Sequence, residues 1–496
     1  MSATCRESET VSTPSSPAII TIAASAPVSL EEVVAIADGA RVALADDVSA
    51  VLTRGARVAA DVAAVMPAYG RSTGVGANRE TAVTERTDHG LRLVRSHATD
   101  AGSPLPSRIV RAMIATRLAQ LSRGGSGIDP AIVPALAAAL DQDEIVEIGS
   151  VGSIGTGDLA ALAALALMLA GERAPGASGT PVGWGVESAL PFLSSSALTI
   201  GRAVLASDEL RRLDRAGRIT FALTAAAVRA NPSAWSDSAA AAAAAPFVRR
   251  VSAELRELVG EVDDPARIQD PFGLRVYPVT QAALLTSLER LDAQLHQLLN
   301  AAQENPVFDI DERTVTHHGA FFQAQLALDL DATTLAVAQA ATNAHALLRL
   351  TNEPAYTRLR PFLATGPAGA SGLMMLEYTA AAALAEIRNA ANPATLGTIA
   401  LSRGTEEDAS FATQGAVQLE RAVAAYRVVL ACQLLAASRL LAQLDPELPA
   451  GLTAPATAVR SLQPHHDDQD LHAPLAQAAS LLDELDSLVG PEPTTR

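Results

Sequence analysis

The chain has 496 residues, 49% of them apolar and 18% charged, with a net charge of −17. That length supports a large buried core, either as about three domains or as one long helical unit. The acidic balance and the lack of a basic stripe argue against a nucleic-acid partner. Two cysteines far apart, Cys5 and Cys432, imply no disulfide framework and fit a reducing, cytoplasmic setting.

Taken in chain order, MSATCRESETVSTPSSPA has no basic start followed by an apolar core, so it is not a secretory signal, and residues 1–18 read as a flexible lead-in. AIITIAAS follows as a short strand candidate. Helical apolar spacing then covers Leu30–Ala64, Ser107–Leu121, Asp158–Ala170, Ser196–Asp214, Thr280–Gln303, Phe321–Leu350, Leu373–Ala391 and Gln414–Leu444. RTVTHHGA at 313–320 is the other strand candidate, and the alanine run at 239–247 reads as either helix or loop. Pro271, Pro278, Pro306, Pro361 and Pro393 mark helix ends. The longest apolar run, Leu159–Gly171, is about 13 residues and too short to span a bilayer. The expected architecture is all-α, an elongated bundle of long helices. It divides into the tail 1–18, an N-terminal part 19–200 and a central and C-terminal bundle 201–490, with 19–490 as one continuous unit.

The glycine-rich stretch Gly149–Asp158 precedes a long apolar helix and carries a lone threonine between Gly155 and Gly157. It lacks the Gly-Lys-Ser/Thr ending of a phosphate loop, and no strong strand precedes it. Two readings stay open. The glycines permit positive φ and close packing only, or they let a backbone nitrogen attack a nearby carbonyl carbon, after which loss of water from the hydroxyl leaves an electrophilic alkene.

Other motifs follow one another at family-like separations: AYGRSTGVGANRETAV at 68–83, LVRSHATDAGSPLP, RLAQLSRGGSGI, QDPFGLRVYP, ENPVF, ASGLMMLEYTAAAALAE at 370–386 and GTEEDASFA at 404–412. In this order they resemble the histidine and aromatic amino-acid ammonia-lyase family, from about residue 30 to about 440. The resemblance implies the ammonia-lyase fold, related to fumarase and aspartase. It also implies a homotetramer whose pockets draw on more than one subunit, and an amino-acid substrate, with neither nucleic acid nor membrane as partner. In that family an Ala-Ser-Gly loop followed by Asp-Leu becomes a methylidene-imidazolone electrophile. Setting Asp158-Leu159 on the Asp-Leu puts Gly155, Thr156 and Gly157 on the triad. The implied cofactor is an autocatalytic imidazolone from Gly155-Thr156-Gly157, with an extra methyl on its alkene, or else the loop is its unprocessed remnant.

Residue by residue, the resemblance implies Tyr69 as the base for a β-proton. A free tyrosine titrates near pH 10, so cations or backbone dipoles would have to lower it. Arg275 matches an arginine that grips the substrate carboxylate, which suits a planar guanidinium. Glu406 matches a glutamate that faces the amino group or a polar ring, His97 a histidine at the ring end of the pocket, and Asn305 an asparagine beside the electrophile. The plain alternatives are a turn tyrosine, a surface ion pair, a solvated acidic run, a packing histidine and a helix-ending asparagine. Other positions depart from the family. Ser194 stands where an asparagine is usual, followed by Ser195 and Ser196. Phe272 replaces a tyrosine, and Ala320-Phe321-Phe322-Gln323 replaces a polar segment. Such changes point to changed substrate, changed chemistry or lost activity. The expected function is elimination of ammonia from an aromatic or histidine-like L-amino acid to an α,β-unsaturated acid. An aminomutase, an elimination or addition enzyme without the imidazolone, and an inactive assembly protein are the alternatives. PHHDDQDLH at 464–472 (His465, His466, Asp467, Asp468, His472) matches no zinc spacing and is expected to be a solvated loop with no metal.

Overall fold

The computed structural model describes residues 18–85, 87–175, 180–462 and 467–489. Most of the lead-in, Cys5, His465, His466 and the C-terminal GPEPTTR lie outside the described residues.

The chain opens with β1 (Ile19–Ile22), α1 (Leu30–Ala37), β2 (Arg41–Leu44) and α2 (Asp46–Val65). Ser29 and Glu32 form a reciprocal capping box that starts α1. The uninterrupted helical stretch expected over Leu30–Ala64 is therefore corrected. The Gly39 amide donates to the Ile36 carbonyl and the Ala40 amide to the Ala35 carbonyl, with Gly39 at φ +104°. This pairing ends a helix on a left-handed glycine, and it frees Arg41–Leu44 to pair in parallel with β1. Next come α3 (His89–His97), β3 (Ala101–Pro104), α4 (Ser107–Leu121), α5 (Ile132–Asp141), β4 (Gly149–Val151), α6 (Leu159–Leu169) and α7 (Ala189–Leu193), with β4 antiparallel to β3.

The central part begins with α8 (Ala197–Ala227), α9 (Asp237–Ala243), α10 (Val248–Val259), α11 (Phe272–Arg275) and α12 (Tyr277–Leu299). A short hairpin, β5 (Val307–Asp309) and β6 (Thr314–Thr316), leads to α13 (Ala324–Thr351) and α14 (Pro354–Thr357). Then follow α15 (Met374–Ala390), α16 (Ala412–Leu444), α17 (Ala450–Arg460) and α18 (His472–Leu481). Helix α16 packs on α8, α13 and α15, while α12 packs on α13 and α8, so these five helices form the bundle. The 200/201 division falls inside the first turn of α8.

Helix α8 runs 13 residues past the expected end at Asp214, to Ala227. Asp214, Arg215 and Arg218 resemble a surface terminus in sequence, yet they lie in the bundle core, where Arg218 meets Asp214 at 2.7 Å and Glu254 at 2.9 Å. The stretch Ala189–Ala227 and helix α16 are long and apolar enough to cross a membrane. However, 94% and 78% of their apolar windows are buried in the bundle, which makes them core helices.

One buried ion pair ties the N-terminal part to the bundle. Arg117 on α4 and Glu304 after α12 are both fully buried and meet at 2.9 Å. Arg117 also donates to the carbonyls of Pro191 and Phe192 and to Gln120 Oε1. Burial pushes the Glu304 carboxyl up, and the Arg117 charge opposes that. Removing one partner of such a pair leaves an uncompensated charge. Glu304→Ala is therefore expected to lower unfolding free energy by about 3–5 kcal/mol, with Glu304→Gln, which keeps an acceptor, losing less. Urea unfolding followed by far-UV circular dichroism measures both, and equal losses would contradict this account.

Candidate active site

The glycine-rich loop leaves β4 and enters α6 between the N-termini of α8 and α16. Asp158 is buried, and its carboxylate accepts from the Thr199 amide at 2.8 Å and the Thr199 hydroxyl at 3.0 Å. It thereby caps α8, where Ser196 at the N-cap position makes no side-chain cap. Burial pushes the Asp158 carboxyl above its ordinary range, and the Thr199 bonds pull against that. The Asp158 amide donates to the Ser195 carbonyl at 2.7 Å. On the other side, the Phe411 amide donates to the Ile154 carbonyl at 3.0 Å, Gln414 Nε2 to the Ser153 carbonyl at 2.9 Å and Ser410 Oγ to the Gly155 carbonyl at 3.0 Å. Ser153 Oγ bonds Thr413 Oγ1 at 2.9 Å and the Gly157 carbonyl at 3.3 Å, and Thr413 reaches Thr199 at 2.7 Å. Gly155 has φ +91° and Gly157 φ +125°. A Cβ at Gly155 would lie 2.5 Å from the Ala412 nitrogen, so only glycine fits there.

Facing the loop is the turn that carries Tyr69. Gly70 has φ +75°, and a Cβ there would strike Leu190 of α7 at 2.1 Å, which explains the Tyr-Gly pair. Beneath it, Arg71 is buried and donates to the Ser126 and Gly127 carbonyls at 3.1 and 2.9 Å. The Tyr69 amide donates to His317 Nε2 at 3.2 Å, and the Gly76 amide donates to the Tyr69 hydroxyl at 2.6 Å. The expected lowering of this phenol is not the net result. Burial pushes Tyr69 above its ordinary value; the Gly76 amide lowers it, the Glu406 charge raises it and Arg79 lowers it.

Tyr69, His97, Thr156, Ser194, Asn305 and Glu406 line one cavity of roughly 670 Å³. Six residues from six separate motifs thus meet in one place, with Gly155 and Gly157 flanking Thr156 behind the wall. Ser194 Oγ accepts from the Asn305 amide at 3.0 Å, and Asn305 Oδ1 accepts from the His318 amide at 3.0 Å. The same cavity is lined by Phe321, from the segment expected to depart from the family, and by Arg79, His317, Ser402 and Thr405, which sequence reasoning did not assign to it. The adjacent histidines after a short strand were the available signal for His317. Arg275 and Phe272 do not line this cavity. They sit on α11, with Phe272 67% exposed and the Arg275 guanidinium 4.7 Å above the Phe272 ring. Asp467 and Asp468, from the histidine-aspartate segment, fold over the 366–372 turn, where Asp468 accepts from the Ser371 and Gly372 amides. His472 begins α18.

Residues 28–461 match the aromatic amino acid lyase family. A histidine ammonia-lyase of Symbiobacterium thermophilum is 30% identical over 94% of this chain and 98% of its own length. Among solved structures, tyrosine aminomutase from Streptomyces globisporus has a TM-score of 0.89 at 22% identity, covering 96% of this chain and all of its own. The ergothioneine-degrading enzyme ergothionase from Treponema denticola has a TM-score of 0.86 at 20% identity, covering 94% of this chain and 99% of its own. These two share the fold.

The charge of Glu406 works against a Tyr69 phenolate. In Glu406→Gln that opposition is gone, so Tyr69 is expected to ionise at lower pH than in the wild type. Titration of phenolate absorbance, with Tyr69→Phe subtracted to isolate one ring among five, reads the shift. Coincident curves would show that Glu406 does not act on Tyr69.

Proposed function

The chain belongs to the aromatic amino acid lyase family, and from that membership we propose that it eliminates ammonia from an L-amino acid with a polar aromatic ring, histidine-like or phenolic. The observation that carries this reading is the meeting of Thr156, Tyr69 and Glu406 on one cavity. The residues present supply the groups that an imidazolone requires. Thr156 supplies a hydroxyl, Gly155 a carbonyl already hydrogen-bonded by Ser410, and among the described residues no acceptor takes the Gly157 amide. When formed, that group supplies an electron sink that makes the amine a better leaving group.

The chain's own side chains do the rest. The Tyr69 oxygen takes the β-proton, held by the Gly76 amide at 2.6 Å. Glu406 receives the substrate ammonium. Its charge is then neutralised locally and no longer opposes the phenolate, so substrate binding itself primes the base. His97 Nδ1 lies 2.8 Å from the Leu93 carbonyl. A carbonyl only accepts, so Nδ1 carries the proton and Nε2 is left as an acceptor for a ring N–H or O–H.

The carboxylate clamp comes from a second copy in this reading. Arg275 makes no ion pair among the described residues, and its Nε is buried without a partner. It lies beside the exposed Phe272 and Val279, and Leu328 and Leu335 expose a further apolar stripe on α13. A face of this kind is covered by another copy in a homotetramer, which brings Arg275 to a neighbour's cavity.

The test is a panel of L-amino acids assayed for ammonia, for absorbance of an unsaturated acid and for β-amino isomers, which separates lyase from mutase. Tyr69→Phe is expected to lower kcat/KM by about 10²–10⁴-fold. Arg275→Ala should raise KM while the tetramer persists by light scattering. A folded tetramer that yields neither ammonia nor isomer from any member of the panel would overturn the reading.

A further inference from the structure

The geometry points to Ser410 as the catalytic donor for cyclisation of the Gly155–Gly157 loop, an inference that rests on the loop being self-processing. Cyclisation joins the Gly157 nitrogen to the Gly155 carbonyl carbon. The carbonyl electron pair moves onto the Gly155 oxygen, which becomes an oxyanion and takes up the proton released by the Gly157 nitrogen. That hydroxyl leaves with the Thr156 amide hydrogen as the first water and closes a C=N bond. The Thr156 hydroxyl then leaves with the Thr156 α-hydrogen as the second water and opens the alkene. No oxidant is required, and the slow step to be helped is the build-up of charge on the Gly155 oxygen.

Ser410 Oγ donates to that same oxygen at 3.0 Å and is itself 5% exposed. It in turn accepts from the Ala412 amide at 3.4 Å. Ala412 is the first residue of the 33-residue α16. The positive end of that helix is therefore relayed through one hydroxyl to the atom that becomes negative. The approach is closed to any residue but glycine at 155, because a Cβ there would meet the Ala412 nitrogen at 2.5 Å and Ser410 Oγ at 2.7 Å. The nucleophile is held ready from the other side: the Gly157 carbonyl is tied to Ser153 Oγ. Loss of one oxyanion donor costs about 10²–10³-fold in rate where it has been measured in enzymes.

Intact-mass measurement on the full-length protein tests this without any activity assay. Wild type, Ser410→Ala and Ser410→Cys are expressed in parallel and sampled over time after a pulse of synthesis. Ser410→Cys keeps the volume and weakens the donor, so it guards against a simple packing defect. The wild type is expected to lose the mass of two waters. Both variants should keep the encoded mass long after, with a cyclisation rate lower by about 10²–10³-fold, while melting and elution stay those of the wild type. A Ser410→Ala or Ser410→Cys protein that loses two waters at the wild-type pace overturns the role of Ser410 alone. A wild type that keeps its encoded mass overturns the self-processing premise and this inference together.

Discussion

The constraint on which the rest of the molecule depends is the capture of residues 153–158 between two helix N-termini. A 31-residue and a 33-residue helix each present unsatisfied amides at their starts. Both are partly satisfied by one short loop: the Asp158 carboxylate takes the Thr199 amide, and the Ile154 carbonyl takes the Phe411 amide. The hydroxyls of Ser153, Thr199 and Thr413 close the gap between the two ends. The loop has little freedom to relax away from Thr156, because any movement would uncap a core helix. Buried anchoring of this sort also explains why an aspartate whose carboxyl is pushed up by burial is tolerated there. Its cost is set against the amide and hydroxyl of Thr199 at an end where negative charge is favoured.

Around that fixed point the cavity is electrostatically incomplete. Glu406 and the Tyr69 phenol oppose one another, and the cation that acts on Tyr69 is Arg79. Arg79 already donates to Thr405 and lies on an exposed loop. Arg275 has the reverse problem: it makes no ion pair among the described residues and sits beside the exposed Phe272. The two match: among the described residues neither Glu406 nor Arg275 makes an ion pair. The proposed assembly of copies would resolve both and would cover the α13 stripe as well. This reading couples folding, assembly and chemistry more tightly than a self-contained pocket would.

Much of this was legible in the sequence, and the gaps have physical causes. Helix α4 was expected over Ser107–Leu121 and is found there, because Pro106 fixes its start and its apolar residues recur at helical spacing. The break at Gly39 was missed because Arg41–Leu44 is too short to display a period of two. The far half of α8 was missed because Asp214, Arg215 and Arg218 look like surface residues, and only tertiary packing reveals that they are buried and paired. Tyr69, His97, Thr156, Ser194, Asn305 and Glu406 were placed by matching the motifs around them to the family's, and the structure brings them onto one cavity. Ser153, Thr199, Ser410 and Thr413 were not. Small hydroxyls in a loop or a first helical turn have no signature until two helix ends are seen to cross.

The Gly-Thr-Gly triad also has a simple steric logic. Relative to Ala-Ser-Gly, it lacks a methyl at the first position and has one more at the second, so the same number of carbons is distributed differently. At position 155 a methyl would be driven into the N-terminus of α16 at 2.5 Å. At position 156 the side chain borders an open cavity of roughly 670 Å³. Moving the methyl from the packed side to the open side keeps position 155 clear of α16 and Ser410 Oγ, and it adds bulk at Thr156 on the cavity wall. Room behind the loop and a bulkier side chain in front of it therefore arise from one paired exchange.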